Sequence, residues 1–428
     1  MAEIIITLIF IAGYTAIALE HKIHINKAAS ALIAGVLSWT VFIGFSASKE
    51  PVSEMLVEHL GDVAGILFFL LSAMTIVELI DAHDGFEVIN ERIRTKNKRV
   101  LLWIISIISF FLSAFLDNLT TTIVMISLIR KLLPDQRDRL LFAGVIVIAA
   151  NAGGAWSPMG DVTTTMLWIG NQITAGNIVT RLFIPSLVCM VIPVLLTTFF
   201  VKNPLTPNPD KAKSNKSNTN RFERNFVFWA GILSLLSVPL FKALTHLPPL
   251  MGMLLALGIM WIITEIIHYG KNEDDKGKLS VAHALRKTDA PTILFFLGIL
   301  LCISAMGSVG LLEKWADYLT TSVRNESIII LLIGLLSSIV DNVPLVAAVQ
   351  GMYPLSFYPT DHFFWEFLAY TTGTGGSILV IGSAAGVAAM GMEKINFIWY
   401  LKKISWLALV GYFAGALVYL AQDMIFHL

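Results

Sequence analysis

The chain has 428 residues, of which 56% are hydrophobic and only 14% charged. Soluble domains carry about 25% charged residues, so the composition argues against a soluble multidomain enzyme and against a disordered or fibrous chain. Lys+Arg and Asp+Glu balance at 30 each, so net charge gives no sign of a nucleic-acid partner, and none is expected; Cys189 and Cys302 lie inside apolar runs and frame no disulfide scaffold.

Apolar stretches of about 18 to 24 residues match the length a helix needs to cross a hydrocarbon core. They predict an all-α polytopic membrane protein. In chain order they fall at roughly 2–19, 28–45, 63–81, 139–173, 178–201, 225–244, 249–268, 291–309, 363–391 and 404–421. The first contains Ala16-Ile17-Ala18, which looks like a cleavage site, but Glu3 stands where a signal peptide has a basic n-region, so it is read as a span. Two further apolar stretches, 100–133 and 327–352, are each interrupted by an Asp-Asn pair. Their arms of roughly 13 to 17 residues are short for a full crossing, which predicts re-entrant hairpins. The expectation is therefore about ten transmembrane helices and two hairpins. Segments 84–98 and 310–321 look amphipathic and are expected to lie on the interface.

Charge placement tests this count. With both termini outside, 25 of the 30 basic residues fall in inside loops, as the positive-inside rule requires. Only Lys49, Arg181, Lys242, Lys314 and Arg324 fall outside.

An internal similarity recurs at an offset of about 225 residues. Ser113-Ala114-Phe115-Leu116-Asp117-Asn118 corresponds to Ser337-Ser338-Ile339-Val340-Asp341-Asn342, and Gly153-Gly154 with Gly160 corresponds to Gly375-Gly376 with Gly382. Each half holds five spans and one hairpin. An odd number of spans gives the halves opposite orientation, the inverted-repeat plan of secondary transporters. The first repeat is 1–201, with hairpin 100–133 and broken helix 139–173. The second is 225–428, with hairpin 327–352 and broken helix 363–391. A polar, Pro-containing cytoplasmic linker at 202–224 separates them.

Two features carry the chemistry in each half. One is the hairpin tip, Asp117-Asn118-Leu119-Thr120-Thr121-Thr122 and Asp341-Asn342-Val343-Pro344. The other is a Gly-rich break, Asn151 to Asp161 and Thr371 to Ser377. A helix unwound at membrane depth exposes backbone groups that lipid cannot satisfy, so it must line a cavity or be buried in protein. Helix capping alone would explain an Asp-Asn pair. It favours Asn or Ser about as well as Asp, however, and an Asp near the bilayer centre costs roughly 2.5–3.5 kcal/mol. Three such residues, Asp117, Asp161 and Asp341, argue for function. Glu78, Asp81, Glu265 and Glu366 lie near span ends and are expected to be solvated, while Gly252 and Gly411 suit close helix packing.

The runs Ser113–Thr122 and Asn151–Thr165, with their second-half partners, resemble the NhaD-type sodium/proton antiporters of the ion transporter superfamily over essentially the whole chain. The resemblance implies exchange of Na+ (often also Li+) for H+, with no cofactor and no catalytic residues. It also implies separate scaffold and transport domains, elevator-like movement and a homodimer in the lipid bilayer. The motif's polar residues map to Ser113, Asp117, Asn118, Asn151, Asp161, Thr163 and Thr164, and to Ser337, Asp341, Asn342, Thr374 and Ser377. Na+ is expected at Asp117, Asn118, Asp341 and Asn342. Ser383 stands where Asp161 stands in the first half, so two identical ion sites are not expected. Burial disfavours an empty carboxylate, and either a proton or a cation relieves it. Asp117 and Asp341 are the first candidates for such exchange and Asp161 the third. The alternatives are a Na+-coupled carboxylate or anion transporter of the same superfamily, a passive channel and, remotely, an intramembrane aspartyl protease using Asp117 and Asp161.

Overall fold

Every apolar run is helical, some as two successive helices, and no strand occurs among the described residues. The computed structural model describes residues 1–90, 93, 95, 97–201, 219–269, 272–323 and 325–426. The first half contains α1 (Ala2–Ala18), α2 (Glu20–Ile23), α3 (Lys27–Phe45), α4 (Lys49–Ala82) and α5 (Glu87–Asn90). It continues with α6 (Lys98–Leu116), α7 (Asn118–Leu132), α8 (Gln136–Ala155), α9 (Val162–Ile169) and α10 (Ala175–Phe200). The second half opens with α11 (Arg221–Thr245), α12 (Pro249–Ile267), α13 (Glu273–Leu279), α14 (Val281–Lys287), α15 (Ala290–Ser308) and α16 (Leu311–Val323). Then come α17 (Glu326–Leu336), α18 (Asn342–Met352), α19 (Phe363–Gly375), α20 (Ala384–Glu393), α21 (Phe397–Lys403) and α22 (Ser405–Phe426).

Among the described residues, nine helices are long and apolar enough to cross a membrane, and α1 is a shorter apolar helix. This is an all-α polytopic membrane protein. The segments 139–173 and 363–391 are each two helices, α8–α9 and α19–α20, separated by an irregular stretch.

One hairpin arm is longer than the sequence suggested. Asn97 caps the amides of Arg99 and Val100, so α6 starts at Lys98 and reaches 19 residues. The apolar run alone understates it because the polar first turn belongs to the helix. The other arms, α7, α17 and α18, have 15, 11 and 11 residues. Segment 310–321 forms the amphipathic helix α16, with Leu311, Leu312 and Ala316 buried and Lys314 and Tyr318 exposed. Of segment 84–98 the structure gives α5, and residues 91, 92, 94 and 96 lie outside the described residues. So do 202–218 of the predicted linker.

The helices pack in two groups. In one, α1, α3, α4, α11, α12 and α15 pack together. There α3 and α15 approach so closely that a Cβ on Gly35 would lie 2.5 Å from the Gly298 carbonyl oxygen, the close backbone contact that small residues allow in membranes. In the other, the two hairpins, the two broken helices, α10 and α22 interlock around α8, which is largely buried. The groups meet chiefly where α15 touches α18. Gly252 and Gly411 serve packing, the first against Phe241 and the second against the Cys189 carbonyl and Pro193.

Within the second group, equivalent contacts seat each hairpin on its broken helix. A Cβ on Gly153 would meet the Phe110 carbonyl oxygen at 2.1 Å, and one on Gly375 would meet that of Gly334 at 2.0 Å. The hydroxyls of Ser113 and Ser337 donate to the carbonyls of Ala150 and Thr372, at 2.6 and 2.9 Å. Neither glycine tolerates a side chain without parting the two backbones.

One expectation about span ends is corrected. Glu78, Asp81 and Glu265 are half-exposed or exposed, but Glu366 is only 2% exposed. Arg181 of α10 reaches it at 3.1 Å and also binds Asp423 of α22 at 2.6 Å. The Tyr419 hydroxyl donates to Glu366 at 2.7 Å, and Asn177 donates a further short bond. Burial is tolerated because these partners replace water. A second buried acid, Glu393 at the end of α20, is held by Arg130 of α7 at 2.6 Å and Arg139 of α8 at 3.1 Å.

Candidate ion site

The two tips and the first break meet in one place. Asp117 ends α6 and caps α7, its carboxylate accepting from the Thr120 amide at 2.7 Å and the Thr120 hydroxyl at 3.1 Å. Its backbone sits at φ +70°, ψ 163°, a region costly for any residue with a Cβ and sustained only where surrounding packing enforces it. Asp341 caps α18 with an ordinary φ of −50°. It pairs with Lys27 at 3.4 Å. Both tip carboxylates are half-buried.

Asp161 differs from both. It is 2% exposed and caps α9, its carboxylate accepting the Thr163 amide at 3.2 Å. The hydroxyls of Thr164 and Thr165 donate to its carbonyl, both at 2.9 Å. The amide of Asn118 from the first tip donates to its Oδ2 at 3.0 Å, and that of Asn342 from the second tip does so at 3.2 Å. The same Asn118 nitrogen donates to Asn151 Oδ1 at 2.9 Å, and Asn151 donates onward to Ser383 Oγ at 3.0 Å. Asn118, Asn151, Asn342 and Ser383 are all buried. A buried carboxylate is thus held by neutral amides converging from both halves of the chain.

The breaks cross rather than mirror one another. Asp161 and Ser383 have nearly the same backbone conformation, at φ −143° and −144°, and both cap the helix that follows. At Gly373, whose place in the repeat matches Asn151, a Cβ would lie 3.7 Å from Asp161 Oδ2. The first break supplies the acid and an amide, and the second supplies a hydroxyl and a glycine packed against Ala155, where a Cβ would lie 3.1 Å from the Ala155 Cβ. The tips and breaks therefore gather around one carboxylate, that of Asp161.

Of the residues predicted from sequence, Asn118, Asn151, Asp161 and Asn342 come together directly. Ser113 and Ser337 fasten hairpins to breaks. Thr374 and Ser377 bond backward to the carbonyls of Tyr370 and Thr374, both at 2.6 Å, and shape the second break. Thr121 and Thr122 in the first tip have buried hydroxyls with no hydrogen-bond partner. Lys27 was not foreseen as part of this region; 314 residues separate it from Asp341, and nothing local marks it.

Two cavities lead toward the tips from the face that carries the basic loops. One, of about 370 Å³, runs between α4, α5 and α7 and is lined by Glu78, Asp81, Asp84, Glu87, Lys131 and Lys287, reaching Leu119 and Thr120. The other, of about 420 Å³, is lined by Tyr14, Glu20, Lys27, Leu119, Asp289 and Asp341. Carboxylates outnumber ammonium groups in both, which favours entry of small cations.

Comparison with known proteins follows the same pattern. The family model described as "Citrate transporter" matches residues 5–375. The protein named Sodium/proton antiporter 1 of Arabidopsis thaliana is 47% identical over 422 residues, covering 98% of this chain and 72% of its own. Sodium/proton antiporter 2 of the same plant is 45% identical, covering 97% and 98%. The Na(+)/H(+) antiporter NhaD of Alkalimonas amylolytica is 32% identical, covering 98% and 91%. These relatives are named as transporters, not enzymes. On the strength of these matches, the chain belongs to the NhaD-type antiporters within the citrate transporter family.

Proposed function

We propose that this protein exchanges Na+ for H+ across a membrane, with Asp161 as the central exchanging carboxylate. The observation that carries the reading is the convergence of Asn118 and Asn342, one from each tip, on this buried acid. A side-chain amide has two faces. Its N–H groups support the bare carboxylate, and rotation presents its oxygen to a hard cation beside that carboxylate. A proton satisfies the same acid without the amides. Competition at one site, reached from each face in turn, suffices for antiport. Relatives named as sodium/proton antiporters support the exchange of these two ions, and Li+ is the natural second cargo for the same oxygen donors.

Asp117 and Asp341 flank this centre. We assign them to the same exchange, through the field at the tips and the capping of α7 and α18. The paired Gly153 and Gly375 contacts support an inverted repeat, and the division into two packing groups supports a scaffold and a moving transport unit. A homodimer and termini on the face opposite the basic loops complete the reading. The membrane is one that carries a proton gradient, for which a bacterial inner membrane is the expectation from the NhaD-named relatives.

The family model's title raises citrate as a rival cargo. An anion would enter a site centred on the Asp161 carboxylate, with Asp117 and Asp341 at the flanking tips, and this charge repels it. The deciding experiment uses vesicles holding an acid-interior gradient and a pH-sensitive dye. Dequenching on addition of Na+ or Li+, absent in Asp161→Asn, supports the exchange. Citrate uptake without any cation-driven pH change would overturn it.

A further inference from the structure

We infer that Lys27 is the resident counter-ion of Asp341 on the basic-loop face, where it competes with the cargo cation. The inference rests on the exchange reading and adds to it a residue that the tip motif does not contain. Lys27 is the first residue of α3, and its ammonium lies 3.4 Å from Asp341 Oδ2 and 4.4 Å from the centre of the Phe295 ring. The other carboxylates of this cavity are already engaged. Glu20 accepts the Lys27 backbone amide at 3.1 Å, and Asp289 accepts the Thr292 hydroxyl at 2.6 Å. Tyr14 lines the same wall.

The positions of the partners give the pair a direction. Lys27 belongs to the packing group of α1, α3 and α15, while Asp341 belongs to the group of the two hairpins. By the charge pattern, α3 starts at the basic-loop face, whereas the second hairpin hangs from the opposite face. Its tip therefore touches the far end of a helix about 28 Å long. From Ala28 to Phe45 of α3, and from Pro291 to Ser308 of α15, there is no charged residue. If the hairpin group slides toward the other face, Asp341 leaves the Lys27 ammonium and passes an apolar surface. It then needs a proton or a metal ion of its own. Return to the basic face lets Lys27 displace that cargo, so the ammonium positions the carboxylate and times its release.

The test compares Lys27→Gln with Lys27→Arg in vesicles whose basic-loop face points outward, at alkaline pH where protons compete least. Without a resident cation, Lys27→Gln is expected to lower the KM for Na+ at that face at least about threefold, whereas Lys27→Arg stays near wild type. A purely structural role would lower the maximal rate in both and leave KM unmoved. Lys27→Cys provides a second route, because Cys189 and Cys302 are buried. Modification with an aminoethyl thiosulfonate restores an ammonium and should restore the wild-type KM, while a sulfonate reagent should not. An unchanged KM in Lys27→Gln, or equal effects of both reagents, overturns the assignment of Lys27. Absence of Na+-driven exchange in the wild type would instead overturn the exchange reading itself.

Discussion

At the scale of single residues, three aspartates share a type but not a situation. Asp161 accepts amides from both tips, Asp117 is wrapped around the first turn of its own helix, and Asp341 faces a lysine. Asn is an informative replacement because it caps helices as well as Asp and tolerates positive φ. Asp161→Asn is expected to insert and fold yet lose Na+-driven dequenching to background. Asp117→Asn keeps the cap and the φ of +70°, so a loss of exchange there reports its charge alone, and that loss is expected. Normal exchange in either variant would remove that residue from the mechanism. The sequence announced these acids because a charge in an apolar run is visible without a structure. It ranked Asp161 third because Asn118 and Asn342 lie 43 and 181 residues away from it, and nothing in a local pattern reports such a meeting.

Between residues and molecule stand the contacts that set one element against another. Gly153→Ala and Gly375→Ala each drive a Cβ to about 2 Å from a facing carbonyl oxygen. Overpacking of this kind typically costs about 1–3 kcal/mol. Both variants should melt earlier in detergent and transport more slowly. The two should behave alike if the halves are built alike. Arg181→Gln leaves Glu366 buried without its cation, a loss of about 3–5 kcal/mol in comparable buried pairs. It should lower the melting temperature far more than Lys314→Gln, which breaks only an exposed pair with Glu3. The spans and breaks were legible in the sequence, since hydropathy and glycine are local signals. The burial of Glu366 was not, because its partner is 185 residues distant.

For the molecule as a whole, a shared site makes a quantitative demand. Where proton and Na+ compete for one carboxylate, apparent Na+ affinity weakens as pH falls, by up to about tenfold per pH unit once the acid is mostly protonated. A Na+ affinity flat between pH 6 and 9 would place the two ions on separate groups. The division of helices into two packing groups was expected from family resemblance, whereas the basic-face cavities that open onto the tips belong to the particular conformation, which no sequence pattern encodes. The all-amide setting of Asp161 has one more consequence. In the proposed exchange its carboxylate would travel as a neutral body, with Na+ or a proton aboard. Unloaded, it would drag a bare negative charge across hydrocarbon, at about 2.5–3.5 kcal/mol on insertion scales, which makes fruitless crossings on the order of a hundredfold rarer. On the proposed exchange, slippage would be suppressed by electrostatics, and tight coupling would need no separate checkpoint.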